Sequence, residues 1–169
     1  MVSVLTRQLT EMQMSIYDFK TETLSGEVFD MSQLRNQIIL IVNVASNCGF
    51  ATQYAGLERL YQLYKPNLAV LAFPCNQFGN MEPDPSQIRL CLQKYNISFP
   101  VMHKILVNGE NADPIFKFLK NEQNGILQAQ ALKWNFCKFL VGKSGFLVKR
   151  FVSTDEPEEI ERDIVQLLL

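Results

Sequence analysis

Two apolar segments separated by an amphipathic one constrain the fold more than any other feature of this chain. Residues 38–44 read IILIVNV and residues 68–73 read LAVLAF, so almost every position is apolar. Strands of this kind are buried on both faces, as in a sheet that helices cover on both sides. The segment between them has apolar residues at helical spacing: Tyr54, Leu57, Leu60, Tyr61 and Tyr64. The sequence therefore predicts a strand, a crossover helix that ends before Pro66, and a second, parallel strand.

Two hairpins are predicted, one at each side of this unit in the chain. Residues 15–21 and a segment around Val28 lie on either side of the Ser-Gly pair at 25–26, which favours an opening hairpin. Residues 136–141 and 146–151 are separated by the turn sequence GKSG, which predicts a second hairpin. Both pairs of strands are expected to be antiparallel.

Further elements complete the chain. A helix is expected over residues 84–95, with Asp84 as its cap and Pro85 in its first turn, followed by a strand over residues 98–102. Another helix is expected over residues 113–119. The predicted inner face of the first of these helices comprises Ile88, Cys91, Leu92 and Tyr95. A closing helix carries one apolar stripe: Ile160, Ile164 and Leu168.

The order of these elements predicts an α/β protein with a thioredoxin-like fold. It would have a central mixed sheet, helices on both faces and the N-terminal hairpin as an addition. Residues 15–169 are expected to form a single domain, and residues 1–14 an N-terminal extension that need not be ordered. With 169 residues and 47% hydrophobic composition, the chain can bury a core without a disulfide or metal.

Charge and hydropathy exclude several partners. The formal net charge is -1 and the basic residues are scattered, which argues against nucleic acid or an anionic membrane. No apolar stretch approaches the ~20 residues of a transmembrane helix. Residues 1–14 lack the apolar core of a secretory signal, so we expect a cytoplasmic protein. A mitochondrial transit segment stays open as an alternative, although this stretch has Arg7 as its one basic residue and contains Glu11.

Cys48 is the residue with the strongest chemical signal. It follows the buried strand over residues 38–44, precedes Gly49, and lies directly before the predicted crossover helix. Free amides at a helix start stabilise a thiolate, and the thiolate is the nucleophilic form of cysteine. The other cysteines, Cys75, Cys91 and Cys137, are widely spaced and form no zinc-binding pattern. We therefore expect no metal or bound cofactor.

Three motifs resemble the glutathione peroxidase family in order and spacing. They are NVASNCG at 43–49, LAFPCNQFG at 71–79 and KWNF at 133–136. The resemblance runs from about Ile16 to Leu168 and implies a thioredoxin-like fold and reduction of hydroperoxides. It implies that Cys48 is the peroxidatic residue, in a sulfur version of the family, and that Trp134 and Asn135 lie beside its sulfur as catalytic hydrogen-bond donors.

The same resemblance implies a second catalytic thiol. In the two-cysteine, thioredoxin-dependent branch a resolving cysteine lies on the helix after the second motif, and Cys91 falls at that position. Because a disulfide needs α-carbons within about 7 Å, we expect the helix over residues 84–95 to unwind locally during turnover. Cys137 is the reserve resolving thiol, whereas Cys75 is expected to be structural. His103 is expected at the surface or in a hydrogen bond.

Met81 departs from the family pattern. Most members have a glutamine here that belongs to the catalytic group, and a thioether cannot donate a hydrogen bond. Asn80, Gln77 or water could substitute, or Cys48 could be less activated, with a rate loss of roughly 10²- to 10³-fold by analogy with oxyanion-hole deletions. The stretch from Glu82 to Cys91 is also shorter than in many relatives.

The expected substrates are hydrogen peroxide and organic or lipid hydroperoxides, with thioredoxin as reductant. Direct use of glutathione is the alternative enzyme, and a redox sensor or relay with weak peroxidase activity is an alternative of another class. The segment between Leu119 and Trp134 is shorter than the assembly loop of tetrameric relatives. The resemblance is therefore to the monomeric branch.

Overall fold

The computed structural model describes residues 13–124 and 131–169. The predicted extension over residues 1–14 lies outside the described residues except for its last two positions. Strands β3 and β4 form the predicted parallel pair, with Ile38 opposite Leu68 and Val44 opposite Pro74. The strands are β1 (Lys20–Glu22), β2 (Val28–Asp30), β3 (Ile38–Val44), β4 (Leu68–Pro74), β5 (Lys138–Val141) and β6 (Leu147–Phe151).

The main sheet is mixed, with strand order β4-β3-β5-β6. β5 runs antiparallel to β3 and to β6, while β1 and β2 form a separate antiparallel hairpin. Both predicted hairpins are thus confirmed. The helices are α1 (Gln53–Tyr64), α2 (Pro85–Lys94), α3 (Pro114–Asn124) and α4 (Pro157–Leu168).

Successive residues of β3 point into two different apolar clusters, because side chains alternate across a strand. Leu40 and Val42 pack with α1 and α4 in one cluster. Ile39 and Ile41 pack with α3 in the other. Helices therefore cover both faces of the sheet, which explains why β3 is buried along its whole length.

Several predicted elements differ from the observed ones. The helix expected over residues 113–119 continues to Asn124 as α3. The first predicted strand begins as a 3-10 turn, Ile16–Asp18, because the Asp18 carboxylate accepts the Ser15 amide and closes the turn. Residues 98–102 form no regular strand and contribute only isolated bridges at Val101 and Met102. Pro100 lacks the amide hydrogen that a ladder needs. β4 extends one residue past the apolar run at 68–73, to Pro74.

No helix within residues 13–124 and 131–169 has the length and apolar content to cross a membrane.

Candidate functional site

Cys48 lies where the chain leaves β3 and enters α1. It caps a 3-10 turn, Gly49–Thr52, that leads directly into the helix, and the Phe50 amide donates to its sulfur at 3.4 Å. The side chain is 6% exposed. An amide hydrogen directed at sulfur stabilises negative charge that develops there. The thiol is therefore nearly enclosed but has a backbone donor for its charged form.

The end of the second motif is tied to the turn before Cys48. The Asn47 amide donates to the Met81 carbonyl at 2.9 Å, and the Ser46 amide donates to Glu82 Oε1 at 2.9 Å. The Met81 side chain packs on the apolar cluster that contains Cys48. Two hydrogen bonds thus fix the position of Met81 relative to the reactive turn.

Asn43 holds the third motif in place. This fully buried side chain donates from Nδ2 to the Trp134 carbonyl at 3.1 Å and accepts the Cys137 amide at 2.9 Å. Its own carbonyl accepts the Phe136 amide at 2.7 Å. Phe136 adopts a left-handed backbone conformation, with φ of 61°, which is unfavourable for a bulky residue. The contacts with Asn43 offset that strain and orient the turn that carries Trp134 and Asn135.

Trp134 and Asn135 meet Met81 and the second motif. Asn135 is fully buried, and its Nδ2 lies 3.5 Å from the Phe78 carbonyl and 4.0 Å from the Met81 sulfur. The Trp134 ring packs on Phe78 with 6.0 Å between ring centroids. Asn135 Oδ1 has no hydrogen-bond partner among the described residues. The structure thus brings the three motifs into one site.

Gln77 and Asn80 are the candidate substitutes for the glutamine that the family resemblance predicts at position 81. Gln77 accepts the amides of Val107 and Asn108 at 2.6 and 3.0 Å, so its carboxamide holds another loop. Asn80 is exposed and has a left-handed backbone, with φ of 51°. The Met81 thioether therefore occupies this part of the site.

Cys91 is half-buried on α2, and its sulfur lies 4.0 Å from the Ser46 carbonyl. Burial raises the pKa of its thiol. Cys48 and Cys91 are both free thiols in the structure. Of the predicted inner face of α2, only Ile88 is fully buried. Cys91 therefore faces the turn before Cys48 from a helix that is only partly anchored in the core.

Polar groups are buried behind Cys91. Glu82 is almost completely buried, and burial raises the pKa of its carboxyl group, against hydrogen bonds from Ser46 that lower it. Burial also raises the pKa of Tyr54, and the charges of Glu82 and Cys91 raise it further. Glu82 Oε2 and Tyr54 Oη have no hydrogen-bond partner among the described residues. Burial thus works against the charged form of the Glu82 carboxyl group, and the Ser46 hydrogen bonds work in its favour.

The remaining candidates lie apart from Cys48. Cys75 and Cys137 are buried in the cluster on the α3 side of the sheet, whereas Cys48 belongs to the other cluster. Burial raises the pKa of Cys75. The Cys137 sulfur donates to the Trp134 carbonyl at 3.3 Å. His103 lies 3.6 Å from Glu22 at the surface. Within the described part of the chain, no three potential metal ligands meet.

Asn43 and Glu82 were not predicted as site residues. Asn43 is the one polar residue in the apolar run at 38–44, and Glu82 lies among turn residues before Pro83. A lone amide in a buried strand needs partners, because a buried polar group without a hydrogen bond is costly. That signal could have found Asn43. Nothing in the local sequence shows that Glu82 is buried.

Comparisons with known proteins agree with this arrangement. A model of the family described as glutathione peroxidase matches residues 16–120. The glutathione peroxidase-like peroxiredoxin gpx1 of Schizosaccharomyces pombe is 45% identical over 155 residues, which cover 90% of this chain and 98% of that protein. A crystal structure of T. cruzi GPX1 is 38% identical, with a TM-score of 0.75 over 92% of this chain and 97% of that one.

A more distant structure supports the fold. A thioredoxin family protein from Chlorobium tepidum is 14% identical, with a TM-score of 0.67 over 89% of this chain and 93% of that one. The predicted thioredoxin-like fold is thereby confirmed. The extent of the family match and the identity to its members over nearly the whole chain lead to one assignment: the chain belongs to the glutathione peroxidase family.

Proposed function

We propose that this protein is a thiol peroxidase that reduces hydrogen peroxide and organic or lipid hydroperoxides through Cys48. The observation that carries the proposal is the position of Cys48 at a helix start, with the Phe50 amide on its sulfur, in a chain of the glutathione peroxidase family. The Cys48 thiolate attacks one peroxide oxygen, the O–O bond breaks, and water or an alcohol leaves. Cys48 becomes a sulfenic acid.

Trp134 and Asn135 are proposed to stabilise charge in this step. The indole N–H and the carboxamide are neutral donors, and donors that are already oriented lower the barrier without reorganisation. Asn43 acts as a positioning residue, because its side chain binds the Trp134 carbonyl and the Cys137 amide on either side of Asn135.

Cys91 is the proposed resolving thiol. Its sulfur attacks the Cys48 sulfur, hydroxide leaves and takes up the thiol proton as water, and a disulfide forms. Because Cys91 contacts the Ser46 carbonyl from within α2, we propose that part of α2 opens before the two sulfurs meet. Thioredoxin then reduces the disulfide by thiol exchange. The relatives named peroxiredoxins support this choice of reductant.

Two other functions are tested together with this one. Direct reduction by glutathione would not need Cys91. A redox sensor or relay is favoured by Met81, because a thioether supplies no hydrogen bond to the reacting sulfur.

The test is peroxide-dependent NADPH oxidation with thioredoxin and thioredoxin reductase, beside a glutathione-coupled assay. We expect thioredoxin-supported turnover that is lost in Cys48→Ser and Cys91→Ser and kept in Cys75→Ser. If Cys91→Ser keeps its turnover with glutathione, direct reduction by glutathione would be favoured instead. No turnover with either donor, together with transfer of the disulfide to a partner, would favour the relay.

A monomer and a cytoplasmic location are proposed as well. Sedimentation of the reduced protein at a single mass of one chain would support the monomer, and a concentration-dependent larger species would contradict it. Imaging of the tagged full chain in cells tests the location.

A further inference from the structure

We propose that Met81 is oxidised to methionine sulfoxide by the hydroperoxide substrate and that this oxidation slows the peroxidase. The inference rests on the proposed function, because the oxidant is the peroxide that Cys48 reduces. Methionine sulfoxide is a reversible modification that turns an apolar side chain into a polar one.

The Asn135 amide brings peroxide and thioether together. A carboxamide nitrogen carries two hydrogens. The Asn135 nitrogen lies 3.5 Å from the Phe78 carbonyl and 4.0 Å from the Met81 sulfur. A peroxide oxygen that accepts a hydrogen from this nitrogen on the side of Met81 lies about 3 Å from the nitrogen and close to the sulfur. Any peroxide that uses Asn135 as donor is therefore a neighbour of Met81.

The Met81 side chain is held there by its surroundings. A side chain on Gly79 would meet the Met81 methyl at 3.1 Å and the Trp134 ring at 3.4 Å, so these three residues pack closely. The Met81 carbonyl is fixed by the Asn47 amide. Effective concentrations of groups held in contact far exceed those in free solution. The thioether therefore meets bound peroxide more often than a surface methionine meets dissolved peroxide.

Other methionines provide internal controls. Met81 is half-buried, Met14 is 57% exposed, and Met31 and Met102 are 0% exposed. Exposure alone predicts oxidation of Met14 first. Contact with peroxide bound at Asn135 predicts oxidation of Met81 first.

The reaction balances without a further reagent. The Met81 sulfur attacks the terminal oxygen of the hydroperoxide, the O–O bond breaks, and an alkoxide leaves. The sulfur–oxygen group loses its proton to the alkoxide, so the products are the sulfoxide and an alcohol. The sulfur gives up two electrons and the peroxide takes them. A neutral thioether reacts more slowly than a thiolate, so Met81 is oxidised mainly when Cys48 is already oxidised and reductant is scarce.

The sulfoxide changes the hydrogen bonds of the site. Its oxygen is a strong acceptor, and the Asn135 amide nitrogen is a donor 4.0 Å from the Met81 sulfur. Asn135 would then bind the sulfoxide instead of the peroxide or the charged sulfur. The peroxidase is thereby slowed until a methionine sulfoxide reductase removes the oxygen.

The first experiment treats the Cys48→Ser protein with cumene hydroperoxide and follows each methionine by peptide mass spectrometry. We expect Met81 to gain an oxygen about fivefold faster than Met14, or more, because of its contact with bound peroxide. Met31 and Met102 should stay unmodified over the same period. Oxidation of Met81 at or below the rate of Met14 overturns the proposal.

The second experiment measures the consequence in the wild-type chain. Protein is exposed to excess peroxide and then treated with dithiothreitol, which reduces its cysteines but not methionine sulfoxide. Its peroxidase rate is then compared with that of the same protein before exposure. We expect a loss that follows Met81 oxidation and is reversed by methionine sulfoxide reductases. Met81→Leu should lose a smaller fraction of its own starting rate, and an equal fractional loss overturns the proposed slowing. Failure of the peroxidase function itself would appear separately, as untreated wild-type protein without turnover.

Discussion

The Met81 thioether lies against the Asn135 amide, at the position where the family resemblance predicts a glutamine. In the proposed reaction this side chain contributes no hydrogen-bond donor. Cys48, Trp134 and Asn135 could be singled out as candidates because each belongs to a motif with a local signal. Asn43 could not be assigned its role in the same way, because its partner Trp134 lies 91 residues away in sequence.

Replacing Met81 by glutamine should accelerate the reaction of Cys48 with peroxide. The carboxamide would add a donor to the site, and loss of one such donor costs roughly 10²-fold or more in comparable sites. We therefore expect the second-order rate of Cys48 oxidation to rise by roughly 10²-fold in stopped-flow experiments. Met14→Gln, an exposed change of the same chemistry, serves as control. An unchanged rate in Met81→Gln would mean that the thioether is harmless.

Gly79 has a positive φ of 70°, and its backbone lies against Met81 and Trp134. Gly79→Ala should lower the free energy of unfolding by roughly 1–2 kcal/mol through the left-handed conformation, and should also slow peroxide reduction. Gly109→Ala is the matched control, because Gly109 has φ of 90° with open space around it. Urea denaturation and the NADPH-coupled assay give both quantities. The prediction fails if both variants lose the same activity.

α2 is the element on which the proposed resolving step depends. Asp84 caps it by accepting the Ser86 and Gln87 amides at 3.0 and 3.2 Å. The sequence predicted this helix through its cap and proline. The inner face was predicted less well, since periodicity cannot tell a helix packed in the core from one that covers the core only partly.

Asp84→Ala should accelerate disulfide formation between Cys48 and Cys91. Loss of the cap destabilises the helix by about 1 kcal/mol, which raises the opened fraction by about fivefold. The rate is measured by dimedone trapping of the Cys48 sulfenic acid at successive times after peroxide addition.

The control for this change is Asp113→Ala. Asp113 also precedes a proline and accepts the Ile115 amide at 2.9 Å ahead of α3. It precedes α3, which contains neither Cys48 nor Cys91, so its loss should leave disulfide formation unchanged. Equal acceleration in both variants would indicate a general loosening of the protein instead of opening of α2.

For the molecule as a whole, the parallel strand pair and the two hairpins were predictable because hydrophobic patterns and turn residues are local. The isolated bridges at Val101 and Met102 were not, since they depend on where β4 and the first hairpin meet. The same limit applies to Glu82, whose burial arises only when the second motif packs on the turn before Cys48.

Glu82 should make global stability depend on pH. Burial raises the pKa of its carboxyl group in the folded protein. Above the ordinary carboxyl range, the folded state then holds a proton that the unfolded state has released, so stability falls as pH rises through this window. Glu82→Gln removes that loss and can still accept the Ser46 amide. We will compare the free energy of unfolding of Glu82→Gln with that of wild type by urea denaturation. The variant should be more stable relative to wild type at about pH 8 than it is at about pH 4.

Other groups facing Glu82 are kept unchanged in this comparison, namely Tyr54, Cys91 and Lys104. Glu58 gives a control of opposite sign. Burial raises the pKa of its carboxyl group, but hydrogen bonds from Ser98 and Gln62 lower it overall. Glu58→Gln should therefore lose stability relative to wild type as pH rises. The same pH dependence in both variants would contradict the assignment.

The packing of Trp134 on Phe78, beside Met81 and Asn135, has a spectroscopic consequence. The chain contains one tryptophan, so light absorbed at long ultraviolet wavelengths is emitted from the site alone. Indole emission responds to nearby sulfur chemistry and to solvent. Oxidation of Cys48, opening of α2 and reduction by thioredoxin should each change its intensity. The single tryptophan would thus report each step of the proposed cycle optically, with no label attached.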